Sequence, residues 1–249
     1  MLRYTAMGAM LIASIGGSAL ASDLPVKAYP HAKAPSVEAP LSWTGFYAGG
    51  QVGGADGTWN NSPLSAGIGP FTTGVPLGKA GNSGIAGGLH AGYNYQMANI
   101  VVGIEADYNW TGVSTYNTHL VTTGPGLAFD VMRKLNNYGT IRGRLGVVAQ
   151  ESMLLYATGG WAYGSSKSNV AGVGNLGGPF SDNGSSSHTG WTAGVGADYM
   201  VTQHWIAGIE YKHVDLGSKA YSYNFPLATV TGSSNLKLDE LTARVSYKF

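Results

Sequence analysis

The sequence predicts an all-β fold, an eight-stranded antiparallel transmembrane β-barrel, and three observations carry the prediction. Eight segments alternate apolar and polar residues, which is the period of a β-strand whose two faces meet different surroundings. Short and long connections alternate strictly between these segments, as they do in barrels that cross a membrane. The last segment runs to the C-terminal Phe249, where an open sheet would leave an unpaired edge and a closed barrel would not.

The composition favours the same fold and excludes other classes of protein. Only 11% of the residues are charged, against roughly 25% in ordinary soluble domains, while glycine reaches 39 and tyrosine 15 residues. The basic excess of a nucleic-acid-binding protein is missing, so we expect no nucleic-acid partner. The absence of cysteine excludes a disulfide scaffold, a cysteine-ligated metal site and a thiol nucleophile.

The chain begins with two segments that are expected to lie outside the barrel. Residues 1–21 are typical of a secretory signal peptide, with Arg3 at the start, an apolar stretch over 6–15 and Ala19-Leu20-Ala21 as the cleavage pattern. The apolar stretch is too short for a transmembrane helix. Residues 22–42 carry regularly spaced prolines and predict an extended periplasmic leader, which leaves 43–249 for the barrel.

The eight strands and their connections can be placed in order. The predicted strands are residues 43–53, 84–95, 100–110, 138–149, 153–163, 189–201, 205–215 and 236–249. The short gaps are 96–99, 150–152 and 202–204, and they predict periplasmic turns. The long gaps are 54–83, 111–137, 164–188 and 216–235, and they predict four external loops, with both chain termini on the periplasmic side.

The polar face of the strands carries charges that are predicted to point into the barrel. In the third strand Ile104 and Ala106 alternate with Glu105 and Asp107. A charged Arg or Lys at the middle of a bilayer costs roughly 2–4 kcal/mol, so this face cannot meet lipid. Glu105 and Asp107 are expected to face Arg142 and Arg144, and Glu210 and Lys212 to lie beside Glu240, Arg244 and Lys248, forming a lumenal charge network.

Glycines on the same inward face are predicted to make room for large side chains. They are Gly88, Gly92, Gly103, Gly194 and Gly196. An eight-stranded barrel is just wide enough for its own side chains, so a large inward residue needs a small neighbour. The same narrowness argues against a permanently wide pore.

Aromatic residues near the strand ends predict two girdles at the membrane interfaces. The periplasmic girdle is expected to contain Trp43, Tyr95, Trp205 and Phe249, and the outer girdle Trp110, Tyr138, Trp161, Tyr163 and Trp191. The last strand also resembles the terminal strand of bacterial outer-membrane proteins, where a final Phe after alternating aromatics is an assembly signal. Val245, Tyr247 and Phe249 are therefore expected to carry that signal to the assembly machinery.

Several segments resemble one protein family. They are residues 43–50, 91–96, 103–107, 155–160, 190–194, 210–211 and 214–217, and the 22–25 segment resembles the family's mature terminus. The family is the alphaproteobacterial outer-membrane β-barrel family that includes the 25- and 31-kDa surface proteins of Brucella and the rhizobial outer-membrane proteins. The resemblance implies an abundant protein of the cell outer membrane that supports envelope integrity and contacts lipid and lipopolysaccharide.

No motif in the chain indicates catalysis. The glycines at 172, 174 and 177 match the letters of a dinucleotide fingerprint, but loop residues follow where that motif needs a helix. The six histidines show no metal-binding spacing, and His119 and His188 are interpreted as loop residues that could help bind hemin. We predict no enzymatic activity, no catalytic residue, no cofactor and no metal site.

The function predicted from the sequence is that of a structural surface protein whose barrel anchors the loops. Two alternatives stay open: a small-solute porin, and a surface receptor that binds hemin or a host molecule through its loops. A filled lumen would count against the porin. An effect of a loop histidine on hemin affinity would favour the receptor.

Overall fold

The strands form one antiparallel sheet that closes on itself. The computed structural model describes residues 41–61, 64–68, 71–75, 79–121, 127–174, 178–224 and 229–249. The strands are β1 (Gly45–Asn61), β2 (Leu64–Ile68), β3 (Phe71–Val75), β4 (Lys79–Met97), β5 (Ile100–Thr111), β6 (Ser114–Val121), β7 (Leu127–Gln150), β8 (Met153–Gly174), β9 (Gly178–Met200), β10 (Trp205–Asn224) and β11 (Thr229–Lys248). The signal peptide expected over 1–21 and all but the last two residues of the leader expected over 22–42 lie outside these ranges.

Eight of the strands make the ring. Their order is β1, β4, β5, β7, β8, β9, β10 and β11, and β11 pairs with β1 to close it. At the closure the backbone N–H of Phe249 donates to the carbonyl of Phe46 at 2.9 Å, so the last strand is paired to its end. The short β2–β3 hairpin pairs with β11, and β6 pairs with β7. The eight-stranded antiparallel barrel predicted from the sequence is confirmed.

The two ends of the barrel differ. At one end, tight connections at Ala98–Asn99, Glu151–Ser152 and Val201–His204 join successive strands, and β1 begins and β11 ends there. We call this the turn end and the opposite end the hairpin end. Ala98 has φ 54°, the left-handed region that favours glycine. No helix among the described residues is long and apolar enough to cross a membrane.

The strands continue further toward the hairpin end than the sequence predicts. The prediction of long loops is wrong for much of its length: β8 continues to Gly174, and β9 begins at Gly178, inside the stretch expected to be loop. The physical reason lies in residues such as Ser165, Ser166 and Asn169. Around these residues both faces of β8 are polar, so backbone hydrogen bonds form the strand there without any apolar alternation in the sequence to reveal it.

An apolar band covers the outside of the ring. Its aliphatic members include Val52, Ile85, Leu89, Ile104, Ile141, Leu145, Val195, Ile209, Leu241 and Val245, each at least half exposed to the surroundings. A patch of this extent would be unusual on a water-soluble monomer. It is the surface that a barrel presents to lipid.

Most of the aromatic residues assigned to girdles lie on this outer surface, but two do not. Tyr95, Trp205 and Phe249 are exposed at the turn end, and Trp110, Trp161, Tyr163 and Trp191 at the other edge of the band. Trp43 (1% exposed) and Tyr138 (fully buried) point into the lumen, so their assignment to girdles was wrong. Tyr138 lies four residues before the inward Arg142 on β7, so the alternation of the strand turns both side chains to the same face. Trp43 precedes β1 and packs into an apolar cluster in the lumen.

Candidate functional site

The lumen is filled by three layers of inward side chains. At the turn end lies an apolar cluster of Trp43, Val101, Leu154, Tyr156, Met200 and Ile206, here called the turn-end cluster. Toward the opposite end lies a second apolar cluster, the hairpin-end cluster, made by Ala55, Trp59, Ala86, Val113, Leu135, Tyr138, Ala162, Val214, Leu216, Leu236 and Leu238. Buried charged residues occupy the space between them.

Two arginines form the centre of the charged layer. Arg142 on β7 donates to Glu105 on β5 and to Glu210 on β10, the latter at 2.5 Å, and its Nη2 lies 3.0 Å from Asp107. Arg244 on β11 contacts the same two glutamates, at 2.5 Å from Glu105 and 2.8 Å from Glu210. Each of these glutamates therefore lies between two guanidinium groups, and the contacts cross the lumen from one wall to the other.

Arg144 extends the layer toward the turn end. Its Nη2 donates to Asp198 on β9, and its Nη1 lies 3.7 Å from Glu105. Its guanidinium carbon lies 3.7 Å from the centroid of the Tyr156 ring, close enough for a cation–π interaction. The hydroxyl of Tyr47 donates to Glu105 at 2.8 Å.

Lys212 and Glu240 form the side of the layer nearest the hairpin end. The Lys212 ammonium lies 3.5 Å from Asp107 and 3.6 Å from Glu240, and 5.0 Å from the ring centroid of Tyr138. The Tyr138 hydroxyl donates to the Glu240 carboxylate. Five carboxylates (Glu105, Asp107, Asp198, Glu210 and Glu240) thus meet four cations (Arg142, Arg144, Lys212 and Arg244) in this layer.

The network differs from the sequence prediction in its connections and membership. The structure brings together eight of the nine charged residues assigned to it, and it joins them as one set across the lumen, because arginines on one wall reach glutamates on the other. Asp198 also belongs to the network and is absent from the prediction, although the alternation along β9 places its side chain on the inward face. Lys248 lies apart, since its ammonium donates to the carbonyl of Ser42.

The inward glycines leave space for the large side chains, as the sequence predicts. A Cβ at Gly92 would lie 2.5 Å from the Tyr47 hydroxyl, and one at Gly196 would collide with the Tyr156 ring. Backbone and aromatic ring therefore approach more closely than any side chain at these positions would allow.

The two histidines considered for hemin have different positions. His119 is on β6, and its side chain lies outside the described residues. His188 is on β9, buried and inward, with Nε2 2.9 Å from the Ser166 hydroxyl. The glycine-rich segment that matches a dinucleotide fingerprint has Gly172 and Gly174 at the end of β8, in a strand that pairs with β9.

Comparisons with known proteins agree with this architecture. Residues 24–249 match the family model of the outer membrane protein beta-barrel domain. The 31 kDa outer-membrane immunogenic protein of Brucella melitensis is 35% identical over 228 residues, which cover 86% of this chain and 89% of that protein. A 22 kDa outer membrane protein of Rhizobium leguminosarum is 31% identical, covering 74% and 71% of the two chains. The 25 kDa outer-membrane immunogenic protein of Brucella abortus is 27% identical, covering 93% and 91%. The chain belongs to the family of outer-membrane β-barrel proteins.

Proposed function

We propose that this protein is a non-enzymatic, structural component of the outer-membrane surface, a closed barrel that supports the envelope and holds its hairpin-end extensions outside the cell. The observation that carries the proposal is the filled lumen. A barrel with packed layers across its whole section works as an anchor, whereas a solute channel needs a continuous aqueous path.

The layers in the lumen argue against the alternative of a small-solute porin. A hydrated solute would have to pass the turn-end cluster, where Trp43 and Leu154 are almost fully buried, and then the hairpin-end cluster. Narrow apolar constrictions exclude water and ions. Between the clusters, a passing solute would also have to separate Arg142 and Arg244 from the glutamates that bridge them.

We place the turn end in the periplasm and the hairpin end outside, because short turns face the periplasm in barrels of this class. In this orientation the outward side chains of Val245, Tyr247 and Phe249 lie at the periplasmic edge of the apolar band. That position suits the proposed role of this last segment in recognition by the assembly machinery.

The experiment that tests the proposal is a single-channel recording of the refolded protein in a planar bilayer. We expect no conductance steps when insertion has been verified by the gel mobility of the folded barrel, with a known porin inserted in the same bilayer as the positive control. Stable, reproducible steps from the protein alone would overturn the closed-lumen argument and favour the porin.

One observation at the hairpin end bears on the receptor alternative, and it counts against hemin as the ligand. A cavity of about 60 Å³ lies there, with His188 in its wall. Pockets for drug-sized ligands measure roughly 300–1,000 Å³, so this cavity suits a group much smaller than hemin. Replacing His188 by alanine should leave hemin absorbance titrations unchanged, and a loss of hemin affinity would instead support the hemin receptor.

A further inference from the structure

A small polar pocket lies where the lumen opens at the hairpin end. Strand register brings its lining residues to one level: Trp59 of β1 pairs with Leu236 of β11, and Ser234 of β11 with Lys219 of β10. On the facing wall, Arg133 of β7 is opposite Ser168 of β8, and Ser166 of β8 is opposite Ser186 of β9. Trp59 and Leu236 belong to the hairpin-end cluster, which forms the apolar floor.

The pocket has a cationic and hydroxyl-rich wall. Arg133 lies in this wall, and its Nη1 donates to the Ser234 hydroxyl at 3.1 Å. Lys219 contributes an ammonium whose described hydrogen bond, 2.9 Å long, goes to the carbonyl of Ser187. Four serines line the cavity, and none of the described lining residues is acidic. Two cations and several hydroxyl donors facing one cavity are a set of groups that suits an anion.

His188 adds a second, independent observation. It is 8% exposed, its Nε2 lies 2.9 Å from the Ser166 hydroxyl, and its Nδ1 is buried without a hydrogen-bond partner in the part of the chain that the structure describes. A buried polar atom without a partner is costly, and this one belongs to a side chain that lines the cavity. Burial lowers the pKa of this imidazole, and the nearby charges of Lys219 and Arg133 lower it further.

We propose that this pocket binds one tetrahedral oxyanion, a phosphate or sulfate group, that enters from the hairpin end. The size of the cavity agrees with this class of ligand. One water molecule needs about 10–15 Å³ on the same measure, so a cavity of about 60 Å³ has room for one small oxyanion. A phosphate or sulfate carried on a larger molecule would place only that group in the pocket.

The position of the pocket favours a soluble ligand over a lipid headgroup. Arg133, Ser166 and His188 point to the inside of the wall, whereas lipopolysaccharide surrounds the outside of the barrel. Lys134 and Lys167 are the neighbours in sequence that face outward and are exposed. They provide controls for anion binding that is merely nonspecific.

Acidification should strengthen binding. Because folding lowers the pKa of His188 from its ordinary 6.5, the empty pocket keeps this imidazole neutral and resists its protonation. Arg133 and Lys219 are the cations that face it, and a bound dianion would offset their repulsion. Sulfate stays fully charged from pH 5 to 8, so its affinity reports on the pocket alone and should rise as the pH falls.

The test is an NMR titration of the refolded protein in detergent micelles, with tryptophan labelled with ¹⁵N so that the indole of Trp59 is observed. Inorganic sulfate is added at constant ionic strength against chloride, and inorganic phosphate is the second probe. We expect a saturable shift of the Trp59 signal. Arg133→Gln and Lys219→Gln should each weaken sulfate at least about tenfold, while Lys134→Gln leaves it unchanged.

The outcomes separate the proposal from its alternatives. No saturable shift, or an equal loss in Lys134→Gln, would overturn it, and gel mobility of each variant shows whether the barrel is folded. Reconstitution into vesicles with and without lipopolysaccharide identifies the source. A Trp59 shift caused by lipopolysaccharide alone would make the phosphate lipid-borne, and a shift only after soluble sulfate or phosphate would support the soluble ligand.

Discussion

Replacing Arg142 by methionine tests whether the charged layer stabilises the closed barrel. Methionine keeps the length and apolar stem of the side chain but removes the cation that contacts Glu105, Asp107 and Glu210 together. Both glutamates retain Arg244, whereas Asp107 keeps the Lys212 ammonium at 3.5 Å and its hydrogen bonds from Thr140 and Asn109. Removing one partner of a buried ion pair typically costs about 3–5 kcal/mol, so we expect a loss of unfolding free energy in that range.

Two further variants show whether the cost arises from the contacts or from the charge. Arg142→Lys keeps the charge but not the planar fork that reaches three carboxylates, so we expect an intermediate loss of about 1–3 kcal/mol. Adding Glu210→Gln to Arg142→Met removes one of the carboxylate charges that lost Arg142. The double variant should recover about 0.5–3 kcal/mol of unfolding free energy, measured as a double-mutant cycle with Glu210→Gln alone as the second single variant. Lys134→Met, on the same strand but facing outward, is the matched control and should stay within about 0.5 kcal/mol of wild type.

The assay is reversible urea unfolding of the barrel in lipid vesicles, followed by tryptophan fluorescence and checked by gel mobility. The slope of the unfolding free energy with urea should stay constant, because the variants change stability and leave the surface exposed on unfolding unaltered. If Arg142→Met unfolds within about 1 kcal/mol of wild type, the lumen must be hydrated enough to solvate the three carboxylates that lose Arg142. Such a lumen would not be closed to water.

Three further predictions use the same assay or its kinetics. Glu240→Gln should be nearly neutral in unfolding free energy, because among the described residues Glu240 forms an ion pair with Lys212 alone and the layer holds one carboxylate more than it has cations. Glu105→Gln removes a partner from three arginines and should cost about 3–5 kcal/mol. Gly196→Ala should destabilise by roughly 1–3 kcal/mol since its Cβ would collide with a tyrosine ring, and Gly54→Ala, with open space around its Cβ, should not. Deleting Phe249 should slow assembly in vivo, measured by gel mobility as the folded fraction over time. The equilibrium stability of protein that has already folded should change little. An unchanged assembly rate would contradict the role of this residue in the assembly signal.

The sequence predicted the parts of the fold in which the two faces of a strand meet different surroundings. Along β11, Leu241 and Val245 face outward while Glu240 and Arg244 face inward, so the alternation of side chains revealed strand, register and face together. Beyond the apolar band this signal ends. The extension around Ser166 is polar on both faces, and its strands could not be distinguished from loop.

The candidate site was predictable in its residues and not in its contacts. The alternation along each strand places Arg142 and Glu105 on the inward face, and it places Asp198 on the same face of β9. Which cation meets which carboxylate depends on reach across the ring, which is a property of the closed barrel. Arg142 meets Glu210 from a strand three positions away in the ring, and no spacing in the sequence encodes that contact.

The charges of the lumen have a consequence for register as well as for stability. A shift of β7 by one residue against its neighbours would turn Arg142 and Arg144 from the lumen to lipid. At roughly 2–4 kcal/mol for each cation at the bilayer middle, the misregistered strand would cost about 4–8 kcal/mol before the loss of any ion pair is counted. Buried ion pairs contribute little net stability compared with apolar packing, but an apolar lumen would be as soluble in lipid as the outer face and would not oppose the slip. The charged layer between two apolar clusters therefore specifies which face of each strand turns inward, and the closed lumen follows from the same arrangement.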